Sequence, residues 1–381
     1  MKGIFTNMEE NFEMSNVSAS MTEEALLQQE RKEEMRKKLR FFSNRIGWAT
    51  TLFIALWMFF LSAAGFVLEA TESLFQAGKI SFSGADFYNR YILILNSVTQ
   101  AVAMAISFVI LFSLPKKNEK QTPIAFSRFV IILLICFGAG YAGNLIGTVL
   151  LGFWNAFTGN SVGGELQEVL YGINPLIMFV SVVILAPLLE ELFFRKLLID
   201  RLRPFGKIVS VFLPAFLFAL FHQSATQLIY AFTIGAVLAY LYYETGNYWL
   251  SVSVHALFNF VSGFIPMLFL PKMEGFMNAI TVLESTLSEV ATLHEIIEKV
   301  LPLLENYGFM LVSYLIYALL LFAINITGMI LLFINLKQIR KMKEESLLGF
   351  GESVKAVMFN PGMIGCTAFL GVLTLLSLFT A

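Results

Sequence analysis

The sequence predicts an all-α fold, a polytopic transmembrane helix bundle of about eight or nine spans. Hydrophobic residues make up 57% of the 381-residue chain, and mean hydropathy is +0.74. Charged residues make up 14%, about half the fraction usual in soluble domains. A soluble fold of this length needs more polar residues to cover its surface, so the surface must face lipid. This composition excludes a cytosolic enzyme, a disulfide-stapled secreted module and a disordered scaffold.

The spans follow from apolar runs that approach the roughly 20 residues needed to cross a bilayer. The runs cover approximately 47–69, 92–113, 128–152, 175–198, 208–223, 226–243, 248–270, 308–335 and 363–381. The fifth run is short and the ninth is interrupted by glycines, so the count stays at eight or nine.

These runs divide the chain into five regions, listed here in order: a charged N-terminal segment 1–46, N-terminal spans 47–152, a core 175–265, an outer segment 271–307 and C-terminal spans 308–381. Within the outer segment, 276–305 has apolar residues at helical spacing opposite glutamates. We expect an amphipathic helix there, on the outer interface or over the bundle. No short apolar segment with a cleavage site lies near the N-terminus, so we expect no cleaved signal peptide.

The distribution of Lys and Arg predicts the orientation. These residues cluster before the first span, between the second and third, after the fourth and after the eighth. All four clusters fall on one side if the N-terminus is cytoplasmic, which predicts a multi-pass protein of the cell membrane. The net charge of −1 provides no basic field for nucleic acid. Two distant cysteines, Cys136 and Cys366, lie in apolar runs and are expected to be core or lipid-facing residues.

Ionisable groups inside transmembrane segments are costly, so each one is a candidate functional residue. Glu190 and Glu191 are adjacent near the inner end of the fourth span, and Arg195 follows Glu191 by four residues. Glu191 and Arg195 therefore share a helix face and can form an ion pair, while Glu190 is rotated by about 100°. One glutamate would be held by Arg195 and the other left freer to act as an acid or base. A structural ion pair at the membrane edge is an equally weighted alternative.

Two of the three histidines of the chain also lie in the core. His222 ends the fifth span, and His255 precedes Asn259 by four residues in the seventh, so these two share a face. Two imidazoles, a carboxylate pair and an amide can hold a metal or a water, activate it and stabilise an oxyanion. The third histidine, His294, is expected to be an ordinary exposed residue.

The core contains three short motifs in this order: Glu190-Glu191-x-x-x-Arg195, Phe218-x-x-x-His222 and His255-x-x-x-Asn259. Together they resemble the signature of the CPBP family of intramembrane metalloproteases. That family contains type II CAAX prenyl endopeptidases and bacterial bacteriocin-processing and immunity proteins. The resemblance covers roughly 175–265 and implies a glutamate-dependent endopeptidase with its active site inside the membrane.

The resemblance also implies a role for each matched residue. Glu190 resembles the general base for the attacking water, and Glu191 with Arg195 would position the helix and tune the base. His222 and His255 would bind a metal or orient water and the scissile carbonyl, and Asn259 would help to hold the oxyanion. Glu190, His222 and His255 would be the metal ligands, with Zn²⁺ the natural ion for such a site. The implied partners are a peptide or lipidated-protein substrate and membrane lipid, whereas the oligomeric state stays open.

Two other functions are compatible with the same pattern. The protein could be a non-catalytic membrane immunity or scaffold protein of the same fold, or a proton-coupled transporter. A geometric difficulty also remains. Glu190 and His255 lie about 8–11 Å from the inner face at 1.5 Å per residue, but His222 falls near the outer end of its span. The three meet only if that span is tilted or partly inserted, or if the connection 223–226 dips into the interior.

Overall fold

The structure, a computed structural model, describes residues 2–117, 120–159, 162, 173–286, 293–341 and 346–379. Its described residues form helices and contain no strand. In chain order the helices are α1 (Lys2–Gln76), α2 (Gly84–Phe112), α3 (Phe126–Thr158), α4 (Pro175–Phe205), α5 (Lys207–Phe221), α6 (Leu228–Thr245), α7 (Tyr248–Ser285), α8 (Leu293–Lys341), α9 (Phe350–Met358) and α10 (Pro361–Leu376). The predicted all-α fold class is confirmed.

Seven helices of the described chain are long and apolar enough to cross a membrane, or eight if the pair α9 and α10 counts as one span. The seven are α1 to α4 and α6 to α8, which contain the first four and the sixth to eighth predicted spans. Large apolar side chains on these helices are exposed at the surface, as a lipid-facing surface requires. The chain is therefore a multi-pass membrane protein.

The two uncertain spans differ from simple crossings. The predicted fifth span is α5, which has 15 residues, or about 22 Å of helix against a hydrocarbon core of about 30 Å. The predicted ninth span, 363–381, begins inside α10, and α9 precedes α10 with a bend of 78° between the two helices. Its last residues, 380 and 381, lie outside the described part of the chain.

The charged N-terminal segment and the first predicted span form one continuous helix, α1. Leu39, Ile46 and Phe53 are fully or almost fully buried and repeat every seven residues, so they define one packed face. On this face the ring of Phe53 lies 4.7 Å from that of Phe193 in α4, centroid to centroid. Packing of α1 thus supports the helix that carries the glutamate pair.

The bent pair α9 and α10 is fastened to α1 by buried hydrogen bonds. Asn360, at the bend, donates from Nδ2 to Oγ of Ser43 at 2.9 Å and accepts at Oδ1 from the amide of Met363 at 3.0 Å. Asn44 accepts the amide of Gly362 at 2.7 Å. Since unpaired polar groups are costly in an apolar interior, these bonds hold the bend against α1.

Helices α7 and α8 lie against each other, with aromatic contacts between Phe269 and Tyr317 and between Phe276 and Tyr307. The predicted amphipathic segment 276–305 is divided between them, because α7 extends to Ser285 and α8 begins at Leu293. Residues 287–292 of that segment lie outside the described part of the chain.

Candidate active site

Helix α4 carries the glutamate pair between two π-helical turns. The first turn spans Phe179–Leu185 and the second spans Leu192–Leu197, on either side of Ala186–Glu191. Pro187 lacks an amide hydrogen and cannot make the regular bond to residue 183, which favours an irregular turn before it. Such π turns are frequent at functional sites because they change the direction in which neighbouring side chains point.

Glu191 and Arg195 form the ion pair that their spacing predicts. Oε2 of Glu191 lies 3.1 Å from Nε of Arg195, and both side chains are completely buried. The guanidinium also lies over the ring of Phe218 in α5, 4.6 Å from its centroid. Arg195 therefore holds Glu191 and leaves Glu190 without an arginine partner among the described ion pairs.

His255 connects the two glutamates. Its Nδ1 lies 2.9 Å from Oε1 of Glu191, and its Nε2 lies 3.7 Å from Oε2 of Glu190. An ionised carboxylate only accepts hydrogen bonds, so the neutral imidazole carries its proton on Nδ1 and presents the Nε2 lone pair towards Glu190. The distance of 3.7 Å exceeds a hydrogen bond, so Glu190 and His255 face each other without direct bonding.

The two glutamates differ in burial. The Glu190 side chain is 11% exposed, whereas that of Glu191 is completely buried. The sequence predicts that one glutamate is held by Arg195 and the other left freer. In the structure, Glu191 is the one held and Glu190 is the freer one.

His222 lies at the end of α5, where Nδ1 bonds the carbonyl oxygen of Phe218 at 2.8 Å. A carbonyl can only accept, so Nδ1 carries the proton and the Nε2 of neutral His222 is also a lone-pair nitrogen. The His222 ring contacts Phe218 edge-on at 4.8 Å, and the His255 ring contacts Phe218 at 5.8 Å. His222 lies within electrostatic range of Glu190 and His255. The short helix α5 thus brings His222 towards the glutamates.

One face of α7 makes hydrogen bonds to α4 along its length. Near the start of α7, Tyr248 donates its hydroxyl to the carbonyl of Leu188 at 2.7 Å. Seven residues further, His255 bonds Glu191 as described above, and Asn259 donates from Nδ2 to the carbonyl of Val182 at 3.0 Å. Because these positions are seven and eleven residues from Tyr248, all three lie on one helix face. The predicted pairing of His255 and Asn259 on one face is present.

Sequence reasoning did not assign a role to Phe218 or Tyr248. Phe218 contacts Arg195, His222 and His255, so it lies at the centre of the polar side chains. Its position four residues before His222 was the available signal, because that spacing places the two on one face of α5. The same signal exists for Tyr248, which precedes His255 by two helical turns.

The predicted zinc ligands are Glu190, His222 and His255. Their chemistry suits zinc, since each histidine bonds a carboxylate or carbonyl through Nδ1 and leaves Nε2 available, as metal-binding histidines do. Across the described residues, however, no group of three or more His, Cys, Asp or Glu side chains is arranged to hold a metal ion. The ligand types of these three residues therefore suit zinc, but their arrangement does not form a metal site. Zinc binding stays a prediction.

Other predicted features lie away from the site or at its edge. Cys136 and Cys366 are free and completely buried, as expected of core residues. Cys136 of α3 belongs to the same buried cluster as Val254 of α7. His294 is exposed on α8, as expected.

Together, fold and site define a multi-pass helical membrane protein in which Glu191, Arg195 and His255 form a buried cluster that Glu190 faces. Comparison with protein families finds a match to the type II CAAX prenyl endopeptidase Rce1-like family over residues 172–261. This region is about a quarter of the chain and contains all six predicted site residues. Neither the curated proteins nor the solved structures compared with the chain give a significant match.

Proposed function

We propose that the protein is an intramembrane endopeptidase that hydrolyses a peptide bond in a membrane-associated or lipidated protein or peptide. The observation that carries the proposal is the arrangement of Glu190 opposite His255. Glu190 is a mostly buried carboxylate that Arg195 does not hold, and it faces Nε2 of His255 across 3.7 Å. The family match over residues 172–261 supports the same class of reaction.

Glu190 is the general base in this proposal. Its carboxylate is mostly buried, is not held by Arg195 and faces Nε2 of His255, so it can accept a proton from a water bound beside it. Glu191 is unsuited to this role, since Arg195 and His255 occupy both of its oxygens. In other enzymes, too, two nearby carboxylates take different catalytic roles because their surroundings differ.

The chemical step consumes one water. Glu190 takes a proton from the water while its oxygen attacks the scissile carbonyl carbon, and the carbonyl electrons move to oxygen to form an oxyanion. The tetrahedral intermediate then collapses, the C–N bond breaks, and the proton held by Glu190 passes to the leaving amine. The products are a carboxylic acid and an amine, which exchange one proton to become a carboxylate and an ammonium, and Glu190 returns to its ionised form.

His222, His255 and Asn259 orient the reacting groups. The amide nitrogen of Asn259 has two donors, and the carbonyl of Val182 takes one. The second donor is available to an oxyanion, a role worth several kcal/mol in other hydrolases. A zinc ion bound by Glu190, His222 and His255 would supply Lewis acidity and a more acidic bound water.

The orientation of the protein is also proposed. If α5 crosses the membrane as well as the seven longer helices, a cytoplasmic N-terminus places the four Lys- and Arg-rich clusters on the cytoplasmic side. Glu190 precedes Arg201, the first cation of the cluster that follows the predicted fourth span, by 11 residues, so cleavage would occur near the cytoplasmic leaflet. The substrate is expected to enter from that leaflet.

The test is cleavage of a membrane-anchored fluorogenic peptide library by the purified full chain in liposomes. We expect Glu190→Gln, His222→Ala and His255→Ala each to reduce kcat by at least about 10²-fold, the range for a lost acid–base group. The matched controls are Glu274→Gln and His294→Ala, which change exposed residues and should keep full activity. Hydrolysis in H₂¹⁸O should place one ¹⁸O atom in the new carboxylate.

Activity that survives all three site substitutions would disprove the proposal. A wild-type protein that is folded but inactive on the whole library would favour the immunity or scaffold alternative. Uptake of a solute driven by a proton gradient, lost in Glu190→Gln, would favour the transporter.

A further inference from the structure

The connection 222–227 between α5 and α6 carries His222, and its backbone is strained. Gln223 has a φ of 52°, the one positive φ of a non-glycine residue in the described ranges. An L side chain rarely adopts this left-handed conformation, which persists when surrounding contacts impose it. The contacts that impose it on Gln223 therefore help to fix the neighbouring His222.

The polar groups of this connection bond mostly to residues close to them in the chain. The amide of Gln223 bonds the carbonyl of Leu220 at 3.0 Å, and the amide of Gln227 bonds the carbonyl of Ser224 at 3.2 Å. The hydroxyls of Ser224 and Thr226 are 2.7 Å apart. The amide of Ala225 is different, because its partner comes from a distant part of the chain.

That partner is Ser377, one residue after the end of α10. The Ala225 amide donates to Oγ of Ser377 at 2.9 Å. The hydroxyl in turn donates to the carbonyl of Thr374 at 2.8 Å, which fixes its proton and turns a lone pair towards Ala225. The bond is half-buried, so loss of its acceptor would leave the Ala225 amide only partly solvated, which is unfavourable.

Helix α10 holds Ser377 rigidly. Leu370 and Cys366 of α10 are fully buried in the same core cluster as Leu217 and Phe221 of α5. Beyond α10, the ring of Phe379 contacts Trp154 of α3 edge-on at 5.7 Å. Ser377 is thus held between the core and α3, outside the region 172–261 that contains the site residues.

We propose that Ser377 is a positioning residue for His222. Its bond to Ala225 holds the connection in the shape that keeps Gln223 left-handed and keeps the His222 ring against Phe218. The inference rests on the proposed peptidase function for its kinetic consequence. Loss of the bond would let Gln223 relax and turn the His222 ring away from Glu190, which would slow the chemical step that His222 is proposed to assist.

The experiment uses the purified full chain in detergent micelles and three variants of Ser377. Ser377→Ala removes the acceptor, Ser377→Thr keeps it, and Ser377→Cys keeps the volume with a weak acceptor. The matched control is Ser313→Ala, because the Ser313 hydroxyl bonds only the carbonyl four residues earlier in α8 among its described contacts. Three readouts are measured: hydrogen exchange of the peptide spanning 223–227, steady-state kinetics, and the rate at which diethyl pyrocarbonate modifies His222 relative to the exposed His294.

We expect Ser377→Ala to speed exchange in 223–227 and to lower kcat about threefold to tenfold, the fold-change of one lost hydrogen bond, with KM unchanged. Ser377→Thr should restore both values, Ser377→Cys should be intermediate, and Ser313→Ala should match wild type. The modification rate of His222 should change in Ser377→Ala, while that of His294 stays constant.

Unchanged exchange and unchanged His222 modification in Ser377→Ala would overturn the proposal, as would an unchanged kcat in an active enzyme or a change confined to KM. If the wild-type protein cleaves no peptide, the proposed peptidase function fails. The positioning role is then decided by exchange and His222 modification alone: altered values support it and unaltered values overturn it.

Discussion

Glu191 and His255 are joined by a buried hydrogen bond of 2.9 Å between Oε1 and Nδ1, although they lie 64 residues apart in the chain. Because Arg195 binds the other oxygen of the same carboxylate, Glu191 links a buried cation to an imidazole. Glu191 thereby fixes the tautomer of His255 and turns its Nε2 towards Glu190. The chemistry proposed for Glu190 therefore depends on Glu191, because Glu191 orients the histidine that Glu190 faces.

The first prediction concerns the buried pair of Glu191 and Arg195. Arg195→Met leaves Glu191 as an uncompensated buried charge and should lower the free energy of unfolding by about 3–5 kcal/mol. The double variant Glu191→Leu, Arg195→Met removes both charges and should be more stable than Arg195→Met alone. SDS-induced unfolding of the purified protein measures both values.

The double variant should still lack peptidase activity, because His255 has lost the carboxylate that orients it. The matched control is Lys38→Met, which breaks an exposed pair with Glu34 on α1 and should leave the unfolding midpoint unchanged. A double variant less stable than Arg195→Met would show that neutralising each other's charge is not the main structural role of Glu191 and Arg195.

The second prediction concerns Phe218. Phe218→Leu keeps an apolar side chain but removes the ring beneath the Arg195 guanidinium, so the free energy of unfolding should fall by about 2 kcal/mol, as for a desolvated cation–π contact. Activity should fall as well, since the rings of His222 and His255 both rest on Phe218. Phe212→Leu is the control, because the Phe212 ring stacks on Phe216 and contacts no residue of the site among its described ring pairs. Equal losses in the two variants would contradict the central position of Phe218.

The features that the sequence predicts well depend on local spacing. Glu191 and Arg195, or His255 and Asn259, share a face because four residues make about one helical turn, and that geometry survives folding. The apolar runs likewise predict the long helices, since bilayer thickness fixes their minimum length.

The features that the sequence does not predict depend on contacts between distant segments. The π turns of α4 and the bend between α9 and α10 depend on such contacts. Phe218 is one of 39 phenylalanines, and its spacing from His222 indicates that one contact but not the contacts with Arg195 and His255. The bond from Ala225 to Ser377 joins residues 152 positions apart, which no periodicity reveals.

The third prediction separates two roles of Asn259. Asn259→Leu removes one hydrogen bond to Val182 and should cost about 1 kcal/mol of unfolding free energy. If the second donor of the amide binds the oxyanion, the same variant should also lower kcat by about 10²–10³-fold. A loss of stability with normal kcat would leave Asn259 only the role of holding α7 against α4. Tyr248→Phe, which removes the bond to Leu188 at the other end of this face, is the matched control for stability alone.

The fourth prediction concerns zinc. Elemental analysis of protein purified without chelators should find about one zinc per chain, the occupancy of a single catalytic site. His222→Ala and His255→Ala should each lower that content, whereas His294→Ala should not, because His294 lies on the exposed surface of α8. Zinc content that is unaffected by the first two variants would show that these histidines do not bind the metal.

The last prediction concerns the contact between α3 and α8. A Cβ added to Gly138 would collide with the backbone of Gly328 and Met329, so Gly138→Ala should force the two helices apart and lower the free energy of unfolding. Gly152 lies on the same helix with nothing near its added Cβ. Gly152→Ala should therefore be neutral or stabilising, because alanine is favoured over glycine in a helix by up to about 1 kcal/mol. The opposite order of the two midpoints in SDS-induced unfolding would contradict the close approach of α3 and α8. Cys136 of α3 belongs to the same buried cluster as Val254, the residue before His255, so separation of α3 from α8 should reduce peptidase activity in Gly138→Ala as well.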